Sequence, residues 1–269
     1  MAIDNFIPEI WSAGVTQSFI ANQIVIPTLN TQYSGDATRG NTVHIINATT
    51  PTVVDYAAAG RSITAEALAD TEVQLLLNQE KAFSVNVDDV DKAQAAGSFN
   101  AWTDAAGKAL AEDAETYVIA QMLAGATDGN AGAVAVTTPA LAKAALRAIR
   151  KTMVEGKVPS SNRSVIVNPD FADLLLEGLS DVSVAGSSDE LRNGVIARLY
   201  GMEVLESPLV AGATATAIGY HQDTVAFVNQ IQSLEALRNQ SSFSDIVRGL
   251  SVYGSKVIKA AGVVKYVSA

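Results

Sequence analysis

"NVDDVDKAQ", residues 86–94, is where the chain changes character. Before it, Phe83, Val85 and Val87 alternate as in a half-buried strand. After Asp88 the pattern turns helical, with Asp88, Asp89 and Asp91 crowded at the junction. Three carboxylates in four positions can hold a cation, run acid–base chemistry or open a helix. The EF-hand pattern fails, because no Gly stands at loop position six and no Glu at position twelve. Carboxylates at a helix start accept from free N–H groups and oppose the helix dipole. Helix initiation is therefore the reading the local sequence favours, ahead of a metal site and ahead of catalysis.

Working outward, composition removes whole classes of chemistry. The chain has 269 residues, 48% of them apolar, enough to bury one large core or two modest ones. With no cysteine, thiolate nucleophiles, disulfides, zinc–thiolate sites and iron–sulfur clusters are excluded. His44 and His221 are the only imidazoles, and neither has a nucleophile near it in sequence. There is no G-x-S-x-G elbow, P-loop or dinucleotide fingerprint. "MAIDNFIPEIW" lacks the basic start and apolar run of a signal peptide, and no stretch approaches the ~20 apolar residues of a membrane span. The expected compartment is cytosolic.

The net charge of −10 is unlike the basic footprint of a free-standing DNA binder. It is also uneven. Thr50 to Val90 carries seven carboxylates (Asp55, Glu66, Asp70, Glu72, Glu80, Asp88, Asp89) against Arg61 and Lys81. After Asp245 there are four bases (Arg248, Lys256, Lys259, Lys265) and no acid. Such polarity suits contact between subunits, but on charge alone two solvated faces of one monomer are the commoner explanation.

Upstream, Ile10, Trp11, Val15, Phe19 and Ile20 recur at helical spacing, and Pro27 and "NTQYSGDATRG" break regularity. This segment is too short for a core of its own and must pack on the rest of the chain or on a neighbour. "TVHIINAT" (42–49) and "TEVQLLLNQEKAFSVNV" (71–87) read as strands flanking a long excursion, a kind of loop that usually binds something. Downstream, Phe99, Trp102, Ala106, Leu110, Ala114, Val118 and Met122 lie on one face of a helix over 98–126, stopped by Gly125. "TDGNAGAVAV" is a linker and the best boundary candidate. Thr138 with Pro139 opens a further helix that Gly156 ends. "RSVIVN" is a strand, and Asn168–Pro169 open a helix closed by Gly178. "SSDELRNGVIARLYG" is helical in part; "MEVLES", "TATAIGY" and "TVAFV" are extended.

Five blocks in this order resemble the major capsid proteins of tailed bacteriophages with the HK97 fold. They are "FIPEIWSAGVTQSF", "GDATRGNTVHI", "FSVNVDDVDKAQA", "NGVIARLYGMEVLESPLV" and "FSDIVRGLSVYGSKVIKAAGVV", and they run almost end to end. The resemblance implies an α+β, HK97-like capsid fold. Residues 1–40 would be an N-terminal arm, 41–87 an extended E-loop lying over an adjacent subunit, and 88–134 a P-domain with a long spine helix. Residues 135–245 would be an A-domain, and 246–269 a C-terminal strand returning to the P-domain. The aspartates of 86–94 would then be a hinge and cap where the E-loop descends into the P-domain.

Function, on this resemblance, is assembly of an icosahedral shell from hexamers and pentamers around double-stranded DNA, with weak nonspecific DNA contact. No catalytic, metal or cofactor site and no membrane partner is expected. A scaffolding protein, a portal and a decoration protein are further partners the resemblance allows. The protein would reside in the virion after assembly in the host cytoplasm. From the charge asymmetry, inter-subunit contacts are expected at Arg39, Asp55, Arg61, Glu66, Asp70, Glu72, Arg248 and Lys256. Two features depart from some relatives. No lysine lies between Gly40 and Glu80, so covalent cross-linking from the E-loop is not expected, and no long charged helical region precedes the arm. The alternatives are an encapsulin-type nanocompartment shell, a small carboxylate-dependent enzyme, and a surface-layer or adhesin subunit.

Overall fold

Alternation along "TVHIINA" makes β1 (Thr42–Ala48), which pairs antiparallel with β2 (Asp70–Leu76) in register from Thr42↔Leu76 to Ala48↔Asp70. A computed structural model describes residues 24–35, 40–48, 51–62, 64–67, 70–88, 100–130, 134–179, 195–210, 214–239 and 241–269. The apolar helix pattern around Trp11, and Asp89 and Asp91 of the junction, lie outside these residues. Asp88 is the last residue of a strand, β3 (Gln79–Asp88), and pairs with Ser244.

The single strand expected over 71–87 is in fact two. β2 stays with β1, whereas β3 joins β10 (Ser244–Val257) and β9 (Val225–Arg238) in a three-stranded sheet ordered β3-β10-β9. The break falls at Leu77–Asn78, where Leu77 turns into a small core with Val43, Ile45, Leu75, Ala226, Val228, Val252 and Ile258. That cluster fixes the hairpin to the sheet by apolar burial, and the Leu77 N–H donates to the Asn41 carbonyl at 2.8 Å.

The longest element is α1 (Asn100–Gly125), ~39 Å at the helical rise. Ala111, Ala114, Val118, Ile119 and Met122 form its buried side, in a cluster with Ile166, Ile218, Tyr220, Phe227 and Tyr253. Polar contacts fasten it to the three-stranded sheet. Asp113 accepts from the Tyr253 hydroxyl and pairs with Lys81 at 3.3 Å, and the Tyr117 and Tyr253 rings meet edge to face at 5.7 Å.

The linker after α1 is stitched in by a two-residue strand, β4 (Thr127–Asp128), running parallel to β11 (Val263–Val267). Then come α2 (Pro139–Glu155), β5 (Arg163–Val167), α3 (Pro169–Leu179), β6 (Val195–Leu199), β7 (Met202–Glu206) and β8 (Thr216–His221). They build a six-stranded sheet ordered β4-β11-β8-β5-β7-β6. The Thr138 hydroxyl caps α2 by accepting from Leu141 N–H, as the sequence implied. Of the stretch "SSDELRNGVIARLYG", read as helical in part, residues 187–194 lie outside the described residues, and 195–199 form a strand. β6 and β7 form a hairpin through Tyr200 and Gly201, both at positive φ, and short β-branched runs bounded by such a turn favour pairing over helix. α2 and α3 cover one sheet face around Val165, Val167, Val204 and Ala217, and α1 lies toward the other.

The described part of the N-terminal segment packs on its own chain. Val25, Ile26 and Leu29 enter the α1 cluster, and Asn30 bridges to Ala226. The Val25 N–H donates to Glu115 at 2.9 Å, and the Thr28 and Tyr220 hydroxyls hydrogen-bond.

Candidate functional site

The β1–β2 hairpin has two unlike faces because its register alternates. Val43, Ile45 and Leu75 point into the small core. Thr42, His44, Ile46 and their partners Leu76, Gln74 and Glu72 point the other way. On that outer face Ile46 is 68% exposed and Leu76 50%. Beyond it the loop adds Val53 at 96%, with Val54 and Tyr56 also exposed.

The loop holds itself in shape. Asp55 Oδ1 accepts from the N–H groups of Ala57 (2.9 Å) and Ala58 (3.3 Å), an Asx-type turn. The Arg61 N–H closes this turn on the Tyr56 carbonyl at 2.9 Å, with Gly60 and Arg61 both left-handed. Glu66 Oε2 accepts from Thr52 N–H at 3.0 Å and joins the two sides of the loop. Nearer the base, Glu72 accepts from His44 and from Gln74, and the His44 bond is the main reason its carboxyl sits below the usual range.

Asp55, Arg61, Glu66, Asp70 and Glu72 thus share one hairpin, and Asp55, Glu66 and Glu72 are used within it. Arg248 and Lys256 stand apart, on β10. Arg248 donates twice to Glu235 on β9, from Nε at 2.9 Å and Nη2 at 2.5 Å, and Lys256 is exposed. Arg39 lies outside the described residues. Among the described residues, the carboxylates of the hairpin and the bases Arg248 and Lys256 of β10 are therefore not brought together.

The imidazoles are separated as well. His44 is exposed on the hairpin, and His221 is buried, its Nδ1 accepting from Asp223 N–H. Among the described residues no three His, Asp or Glu gather where a metal could sit, and no helix is long and apolar enough to cross a membrane.

Sequence reasoning missed the apolar side of this site. "PTVVDY" places three large apolar side chains in an irregular, otherwise polar loop, and that mismatch was the available signal. It also missed Glu115, whose carboxyl is buried in α1 and raised by that burial.

Residues 78–266 match a family model described as phage capsid protein. Among solved structures, one from Mycobacterium phage Che8 is 38% identical with a TM-score of 0.76, covering 88% of each chain. The capsid structure of the cyanophage P-SCSP1u is 16% identical with a TM-score of 0.66, over 86% of this chain and 84% of that one. A virus-like particle from Pyrococcus furiosus is similar in fold alone, at 12% identity and a TM-score of 0.62, over 94% of this chain and 96% of the other. No match was found among curated protein sequences.

Proposed function

The chain belongs to the phage capsid protein family and is a major capsid shell protein of a virion, and from this premise we propose that it tiles an icosahedral shell as hexamers and pentamers around double-stranded DNA. The observation that carries the proposal is the apolar outer face of the β1–β2 hairpin. Ile46, Val53, Val54, Tyr56 and Leu76 are exposed on the hairpin and its loop, whose two sides are joined by the Thr52–Glu66 hydrogen bond. Exposed apolar patches of this kind mark interaction surfaces, and a neighbouring copy would cover this one.

The layout proposed is an N-terminal arm (1–40), an E-loop (41–87), a P-domain built on α1 (88–134), an A-domain (135–245) and a returning C-terminal strand (246–269). Many small contacts per subunit add steeply when each copy is held at several places. Arg61 and Lys256 form no ion pair among the described residues, which favours them as charged contacts. Asp55, Glu66, Glu72 and Arg248 would add a neighbour to bonds already made, and Arg39 and Asp70 complete the proposed set. The net charge of −10 supports weak contact with packaged DNA, since phosphate binding grows with the number of basic contacts. The role is structural and needs no catalysis or cofactor. Assembly would take place in the host cytoplasm, with a scaffolding protein, a portal and a decoration protein as further partners.

Electron microscopy with light-scattering mass, on the chain co-expressed with its neighbouring genes, tests this. Closed polyhedral shells or five- and six-membered rings are expected. A subunit that stays monomeric at every concentration would refute it.

A further inference from the structure

α2 and α3 lie side by side on one face of the six-stranded sheet, and their outer surfaces carry opposite charge. Inward, α2 presents Ala142, Ala145, Leu146, Ile149 and Met153. Its exposed positions include Arg147, Arg150, Lys151 and Val154, which fall within an arc of about 100° opposite the buried side. Lys157 follows, also exposed. From Pro139 to Lys157 there are five bases and one acid, in a chain with 18 bases and 28 acids. α3 buries Phe171, Ala172 and Leu175 and exposes Asp170, Asp173 and Glu177, spaced three and four apart on one side, with no base in the helix. The two helices are locked together: Lys143 Nζ donates to the Gly178 carbonyl at 2.5 Å, and a Cβ at Gly178 would lie 2.8 Å from Pro139 Cβ.

Lys151 pairs with Glu155 at 3.7 Å, while Arg147, Arg150 and Lys157 form no ion pair among the described residues. We propose that this layer is a contact between copies, with the basic stripe of α2 in one subunit seated on the acidic stripe of α3 in the next. The inference rests on the chain being a shell subunit and goes beyond the hairpin contact. Charge complementarity chooses the occupant. Both stripes follow the same helical rise, so cations and carboxylates recur at the same interval, roughly 5–6 Å. Val154 and Leu176, 51% and 47% exposed, add apolar surface on the same two helices. Nucleic acid would be attracted by one stripe and repelled by the other on the same surface, whereas a second copy matches both.

The test is a charge swap. One variant carries Arg147→Glu, Arg150→Glu and Lys151→Glu, a second Asp170→Lys and Asp173→Lys, and a third all five. Circular dichroism and melting of the dissociated subunits check folding, which should hold because every substituted side chain faces away from the core. Shell formation is read by sedimentation and electron microscopy. Each single-stripe variant is expected to assemble at least roughly tenfold less well, since like charges then face each other, and the five-fold variant to recover. Wild-type assembly by both single-stripe variants would overturn the proposal, as would folded subunits that the full swap does not rescue. Intact shells that lose only retained DNA would assign the basic stripe to nucleic acid and overturn it too. If the unsubstituted chain formed no shells, the shell reading itself would fall first, and this inference with it.

Discussion

Gly254→Ala tests how the projecting hairpin is seated on the sheet. Gly254 lies in β10, and a Cβ there would sit 2.2 Å from the Leu76 carbonyl oxygen, 3.0 Å from its carbon and 3.1 Å from Leu77 Cα. All three are main-chain atoms, so no side chain can swing aside. Relief requires shifting the Leu76–Leu77 backbone by about 1 Å, and the adjoining Leu75 and Leu77 are buried at 0% and 5% exposure. Overpacking of this kind costs about 1–3 kcal/mol, and the rigid neighbour places this case near ~3 kcal/mol. That is a factor of about 150 in the folding equilibrium. At roughly 2–4 °C per kcal/mol for a chain of this size, melting should fall by about 6–12 °C. Scanning calorimetry of the dissociated subunit reads this, with Gly35→Ala as control, because nothing lies within 4 Å of a Cβ there. A Gly254→Ala melting temperature within ~2 °C of the control would refute the close approach as a constraint.

Asn168→Ala removes a buried amide that accepts from Phe171 N–H and Thr216 N–H and donates to the Thr214 carbonyl; urea unfolding should show a loss of about 3 kcal/mol, with Asn168→Asp, which keeps the acceptor, falling between. Glu115 is raised by burial above its ordinary 4.5, so the folded state binds its proton more tightly than the unfolded chain does. Its contribution is therefore fully present below about pH 4.5 and is lost as pH rises through the raised value; relative to Glu115→Gln, the wild type should gain stability on acidification across that window, and parallel pH profiles of the two would contradict this. Arg248→Glu breaks an exposed pair with Glu235 and should cost the subunit no more than about 1 kcal/mol, while lowering assembly yield; unchanged yield and shell stability would remove Arg248 from the contact set.

Much of the fold was legible because local signals agreed with it. Thr138–Pro139 and Asn168–Pro169 each announce a helix start, and the structure uses both side chains as caps. The apolar recurrence at Ala114, Val118 and Met122 likewise marks the face that α1 buries. What stayed hidden depended on tertiary partners. No Gly or Pro interrupts residues 71–88, so no backbone breaker marks where β2 ends and β3 begins; pairing with β10 decides it. "GVIARL" is too short for periodicity to separate strand from helix. Charge counted along the sequence found the acidic hairpin and the basic C-terminus but not the stripes on α2 and α3, which appear only when residues are sorted by helical phase. Glu115, within "AEDAE", reads as one of several solvated acids until the Val25 N–H is found donating to it.

The central claim is that a neighbouring copy covers the apolar tip of the β1–β2 hairpin in the assembled shell. The chain has no cysteine, so Val53→Cys introduces a single thiol at a site 96% exposed in the isolated chain. Its labelling rate can be followed in dissociated subunits and in purified shells under the same conditions. Rapid labelling of the subunit and a fall of at least roughly tenfold in the shell is the expected result, as burial at an interface excludes solvent and reagent alike. Equal rates in both states would contradict the claim.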